Sequence, residues 1–305
     1  MNTSKSLPTL VDTPLTPFDD NGNVDLALYE RGLAFHLNNG ASAICAPTHL
    51  GESPSLTEEE RRVLIRTTVR AVNGKVPVFA HVSCPGTILT VRAAVDAEQA
   101  GASAIVVTTP YYWKPPEDML RNHFTEVASA VKLPVLLVNS PADMRVALTS
   151  KLVVDLAAAM ENIVGIVDAS FDWEFLIDML PKVRKVRPEF LLYSAAEYFV
   201  TNKAIGGTGT FSPLSAIAPK LVRELHALCM QEKYQEARAT QFSASHLLGI
   251  LKPWNAAATK HVMGRLGRPF GVTRPPLMAF DESSGADLWR RVQETGALAS
   301  ETKGW

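Results

Sequence analysis

The chain has 305 residues, 47% of them hydrophobic, with 30 basic and 31 acidic side chains and a formal net charge of −1. A chain that is nearly neutral and carries no Lys/Arg block has no electrostatic footprint for nucleic acid or an anionic membrane surface, so the expected partner is a small molecule. Three cysteines without a CxxC pair are too few for a disulfide framework. The first 17 residues lack an apolar core and no stretch reaches the roughly 18 apolar residues of a membrane span, so the expected location is the cytoplasm.

Short β-branched runs alternate with longer segments of helical period from one end to the other, as in stacked βα units around a parallel sheet. The pattern predicts strands over 10–15, 43–46, 77–82, 104–109, 134–139, 164–169, 190–194 and 208–212. Runs such as PVFAHV, AIVVTT and PVLLVN are almost wholly apolar, as expected for strands covered on both faces. Thr57 followed by three glutamates, and Pro115–Pro116 followed by Glu117–Asp118, are helix starts, whereas Asn39–Gly40, Asn73–Gly74 and Gly101 sit at helix ends. GASAI occurs at 40–44 and again at 101–105, two βα units apart. That repeat favours a closed (β/α)8 TIM barrel over an open sheet.

Beyond the eighth strand only helical patterns remain, over 217–232, 234–250, 253–266 and 288–301. The reading is an α/β chain with the barrel over 1–215 and C-terminal helices over 216–305 completing and extending it as one unit. The final ETKGW is expected to be a solvated end.

In parallel barrels the chemistry gathers at the C-terminal ends of the strands. There the chain carries Thr16-Pro17-Phe18-Asp19-Asp20-Asn21-Gly22, Gly51-Glu52-Ser53, Thr109-Pro110-Tyr111-Tyr112, Asn139-Ser140-Pro141 and Gly165-Ile166-Val167-Asp168-Ala169. Gly206-Gly207-Thr208-Gly209, Gly267-Arg268-Pro269 and Arg274-Pro275-Pro276-Leu277 follow in order. In this set and register the chain resembles the dihydrodipicolinate synthase and N-acetylneuraminate lyase family over roughly residues 8–280. The resemblance implies a barrel that condenses or cleaves 2-oxo acids through a lysine Schiff base in the middle of the sixth strand.

Against that family pattern this sequence departs at the positions that carry the chemistry. The family lysine of G-[IV]-K-[DE] corresponds to Val167, which has no amine to form an imine. The strand-5 tyrosine corresponds to Val138, the Gly-Thr-Thr of the strand-2 loop to Thr48-His49-Leu50, and the strand-5 arginine to Asp143, with Arg145 two residues on. The glycine-rich end of strand 3 reads Ala80-His81-Val82-Ser83. Of the other lysines, Lys114 falls in a loop and Lys203 in the helix before strand 8.

The expected activity is therefore that of a lyase-like barrel acting on a small carbonyl or carboxylate compound without a Schiff base. The alternative is a non-catalytic descendant that keeps a small-molecule pocket. His49 is a candidate proton-transfer group, since an imidazole titrates near neutrality, or else a hydrogen-bonded structural residue. Tyr112 matches the tyrosine that family members insert into a neighbouring subunit, so it is a candidate proton relay or simply interface packing. His81 reads as structural. Thr48, Leu50, Gly51, Val138, Asn139, Val167, Gly209 and Phe211 are the candidate pocket lining; Asn139, with Glu52, also reads as a hydrogen-bonded tie between loops, and Gly206, Gly207 and Gly209 suit close packing as well as backbone approach to an anion. No cofactor or metal is called for, because neither HxH nor HExxH occurs. A homo-oligomer, dimer or tetramer, is expected from the retained Tyr112.

Overall fold

The computed structural model describes residues 7–111 and 113–305, so Tyr112 lies outside the described residues. Eight parallel strands close on themselves, each paired with the next in sequence and the last with the first. They are β1 (Leu10–Asp12), β2 (Ile44–Ala46), β3 (Val78–His81), β4 (Ala104–Thr108), β5 (Val135–Asn139), β6 (Ile163–Asp168), β7 (Leu191–Ser194) and β8 (Gly209–Ser212). The hydrogen-bonded strands are shorter than the apolar runs, because the ends of each run already turn into loops.

The helices are α1 (Leu26–Asn38), α2 (Glu58–Val72), α3 (Thr87–Ala100), α4 (Glu117–Ser129), α5 (Pro141–Met144), α6 (Ser150–Ala159), α7 (Trp173–Val186) and α8 (Phe199–Ala204). After the barrel come α9 (Pro219–Met230), α10 (Tyr234–Leu251), α11 (Asn255–Arg265) and α12 (Glu282–Glu294). Boundary residues act as the sequence indicates. Thr57 and Glu60 form a reciprocal capping box at α2, and Asn73 and Gly101 close α2 and α3 in left-handed conformations at φ 47° and 89°. Helix α12 begins six residues earlier than the pattern predicted and stops at Glu294, since the Asp281 side chain accepts from the Ser284 amide and sets its start.

Alternation along the strands splits the apolar residues between two faces. Val11, Cys45, Phe79, Val106, Leu136, Val167, Tyr193 and Phe211 fill the barrel interior. The other face packs on the helices, as with Ala80, Ile105, Leu137 and Ile166 against α3, α4, α6 and α7. Each fully buried aliphatic or phenyl side chain contributes about 1.5–3 kcal/mol. Inside the barrel, Phe211 packs on Phe79 and Tyr193 with ring centroids 6.1 and 5.4 Å away. The barrel is thus a packed core and not a pore.

This packing decides one open reading and corrects one expectation. Gly209 opens β8 at the N-terminal end of the barrel, opposite the mouth, where a Cβ would lie 2.2 Å from the Thr9 carbonyl oxygen. It is a close-approach glycine, and not part of a ligand pocket. The last residues are not a solvated end either. Arg268 is fully buried and donates to the carbonyls of Thr302, Gly304 and Ala216, Glu301 accepts from the Lys220 and Leu221 amides, and Trp305 packs on Phe35 and Phe270.

Candidate active site

The loops that follow β2, β3, β5, β6 and β7 surround the mouth. Val138 and Val167 are paired in register across β5 and β6, and both belong to the inner-face cluster with Phe211. Val167 and Phe211 are buried and Val138 is half-buried, so the floor beneath the mouth is apolar where those three meet.

His81 shares that inner face. It follows Phe79 by two residues and pairs with the inward-facing Val106. Its Nε2 lies 3.2 Å from Ser83 Oγ, which accepts from the Thr108 amide at 2.8 Å. Burial lowers its pKa to about 3, and the Arg61 charge and then His49 add to the effect. The ring is therefore neutral at physiological pH. Its Nδ1 and the Thr108 hydroxyl are buried without a hydrogen-bond partner among the described residues.

The β2 loop divides its residues between two tasks. His49 is exposed on the turn, and its imidazole makes no hydrogen bond to a described residue. Thr48 is half-buried with an unpartnered hydroxyl, while its carbonyl accepts from the Ser53 amide. Leu50 packs on the helical side with the Leu15 and Leu214 cluster and not on the inner face. Gly51 is tied by its carbonyl to Thr16 Oγ1 at 2.7 Å. Of the residues predicted for the site on this loop, the lining candidate Thr48 and the proton-transfer candidate His49 keep polar side-chain groups without a partner among the described residues.

The loop is clamped from outside. Glu52, in a left-handed conformation at φ 58°, receives Lys260 Nζ at 2.7 Å and the Arg274 amide at 2.9 Å. Lys260 also donates to the Val272 carbonyl, and its ammonium stands 4.7 Å from the Phe18 ring centroid. Burial lowers the lysine pKa and the Glu52 charge opposes that shift. This buried lysine escapes a sequence reading that looks for amines at strand ends, because it lies in the middle of α11. It holds the β2 loop to the C-terminal helices and does not reach the barrel centre.

Asn139 and Asp168 form a second tie. Asn139 Nδ2 donates to Asp168 Oδ2 at 2.7 Å, and its Oδ1 accepts from the Leu148 amide at 3.0 Å. Asn139, predicted as lining, has its carboxamide occupied within the scaffold. Asp168 also accepts from the amides of Ser170 and Phe171. Asp168, next to the inward-facing Val167, turns out of the barrel and serves the β6 loop, while Asp172 caps α7. Arg145 is exposed at the end of α5 with φ 62°. On the other rim, Phe171 meets Tyr198 edge to face at 4.6 Å, and Lys252 Nζ stands 5.7 Å from the Phe171 ring centroid. No strand-end motif marked these three.

With the barrel and its loops in place, likeness to known proteins becomes informative. Residues 7–295 match the dihydrodipicolinate synthetase family. The chain belongs to that family. It is 32% identical over 293 residues to a 4-hydroxy-tetrahydrodipicolinate synthase of Bartonella quintana, covering 93% of this chain and 96% of that one. A Bacillus subtilis protein of the same name is 31% identical, with coverage of 92% and 96%. Among solved structures, the Thermotoga maritima dihydrodipicolinate synthase superposes with a TM-score of 0.89 at 28% identity, covering 96% of this chain and 99% of that one. A prophage protein of the family from E. coli K12, solved in complex with pyruvate, gives 0.89 at 27% identity over 94% and 98%.

Among the described residues no helix is long and apolar enough to cross a membrane.

Proposed function

We propose that this family member is a lyase for a small carbonyl or carboxylate compound that works without a covalent lysine imine. The observation that carries the reading is Val167, an aliphatic side chain on the inner face of β6 beside Val138 and Phe211. Without an amine there, carbon–carbon or carbon–oxygen cleavage next to a carbonyl proceeds by proton transfer and hydrogen-bond stabilisation of the developing enolate. His49, free on the β2 loop, is the proton acceptor, and Tyr112 returns a proton to the leaving oxygen or carbon. Tyr112 acts from a neighbouring subunit in a dimer or tetramer, and the protein is cytoplasmic. Thr48 and the floor of Val138, Val167 and Phe211 line the ligand. No cofactor enters this scheme.

The test has two arms. Incubation of the full chain with pyruvate and borohydride leaves the intact mass unchanged, and a trapped adduct overturns the lysine-free reading. Metabolite screening for turnover, followed by His49→Ala, abolishes the activity found while the thermal midpoint holds. Ligand binding with no turnover of any compound supports a second reading, a non-catalytic small-molecule binder, which the paired valines at 138 and 167 favour.

A further inference from the structure

The rim above β6 and β7 carries side chains that the proton-transfer scheme does not use. Phe171 adopts φ 54°, a left-handed conformation unfavourable for a bulky aromatic residue. It is held there because Asp168 accepts its amide at 3.1 Å, along with the amide and hydroxyl of Ser170. Strained backbone maintained by a dedicated anchor is a recurrent feature of ligand clamps. The ring is half-buried and meets Tyr198 edge to face at 4.6 Å. Lys252 is exposed at the end of α10, with its ammonium 5.7 Å from the Phe171 centroid. This distance lies within cation–π range, and the lysine forms no ion pair with a described carboxylate.

The floor below is already full, since Val167, Phe79, Tyr193 and Phe211 are all buried. Space for a ligand is therefore at the level of the loops, where those after β6 and β7 carry this aromatic pair. We propose that Phe171, Tyr198 and Lys252 form an aryl-carboxylate subsite, so that the ligand of this barrel is a carbonyl compound bearing both an aromatic ring and a carboxylate. The ring lies against Phe171 and Tyr198, whose faces and edges suit stacking. The carboxylate meets Lys252, the rim ammonium with no carboxylate of its own. The proposal rests on the reading of the mouth as a lysine-free ligand site.

Isothermal titration of the full chain with three probes separates the parts. Phenylpyruvate carries ring, carbonyl and carboxylate, pyruvate lacks the ring, and phenylacetone lacks the carboxylate. Phenylpyruvate binds at least tenfold tighter than pyruvate. Lys252→Gln, an exposed change that leaves the fold intact, weakens phenylpyruvate at least tenfold and phenylacetone less than twofold. Tyr198→Leu weakens both aryl compounds. Equal affinity for pyruvate and phenylpyruvate overturns the subsite, as does absence of binding by all three at millimolar concentration or an equal effect of Lys252→Gln on both aryl probes. Borohydride trapping in the presence of phenylpyruvate stands apart from these outcomes. A mass adduct there removes the lysine-free reading while the affinity comparison still judges the subsite.

Discussion

Val138 and Val167 face each other in register across β5 and β6, and both turn into the barrel. Those are the two positions at which the family resemblance calls for a tyrosine and a lysine. Valine at both positions puts two branched aliphatic side chains in contact with one apolar cluster. Such a pair cannot move a proton or form an imine, and the polar groups left around it, His81, Thr108 and Thr48, come from β3, β4 and the β2 loop.

Restoring the amine alone will not restore the family chemistry. Val167→Lys places an ammonium among Leu136, Tyr193 and Phe211, with no described carboxylate in that cluster to pair with it. Its folded-state pKa falls below the ordinary lysine value of about 10.4, since burial disfavours the charged form. The expected loss is about 3 kcal/mol or more at pH 7, measured by urea unfolding. The loss shrinks as pH rises from the lowered folded pKa toward the unfolded value, where both states become neutral. A variant as stable as the parent at pH 7 means that residue 167 faces water.

The clamp on the β2 loop offers a separate test. Glu52 and Lys260 are both almost fully buried and 2.7 Å apart, and removal of either partner strands the other charge inside the protein. Lys260→Met and Glu52→Gln are each expected to cost about 3–5 kcal/mol, and the double variant less than their sum. Urea unfolding of the four proteins closes the cycle. Additive losses show that the two charges do not depend on each other.

Much of the barrel was readable before any coordinates, because each strand is a short apolar run and each helix has a local start or stop such as Thr57 or Gly101. Residues whose role depends on distant segments were not. Lys260 draws its partners from positions 52 and 272, so nothing around it in sequence marks it as buried. The polar composition of ETKGW reads as solvent-exposed, yet the Arg268 guanidinium collects its carbonyls from 34 and 36 residues away. Gly209 left anion approach and close packing both open in the sequence, and the Thr9 backbone at the entry to β1 decides for packing. At the site, Val138 and Val167 were legible by strand position, whereas the contact of His81 with Ser83 needed the three-dimensional structure.

A buried carboxyl gives the fold a pH dependence of definite sign. Glu197 lies in the loop after β7, and its Oε1 accepts from Ser212 Oγ at 2.5 Å and from the Leu214 amide at 2.9 Å. Its Oε2 is buried without a partner among the described residues. Burial pushes its pKa up to about 7, the two hydrogen bonds oppose that rise, and the Asp12 charge adds to it. The folded state therefore holds this proton over a range in which an unfolded glutamate, with a pKa of about 4.3, has released it. Its contribution to stability is complete below about pH 4 and is lost as pH rises through about 7. Glu197→Gln has no proton to lose. Its stability relative to the parent therefore rises between pH 5 and pH 8, and urea midpoints at those two values measure the change. If the difference between parent and variant is the same at both pH values, Glu197 is ionised in the folded protein throughout, and the β7 and β8 loops are joined by a buried carboxylate and not by a carboxylic acid.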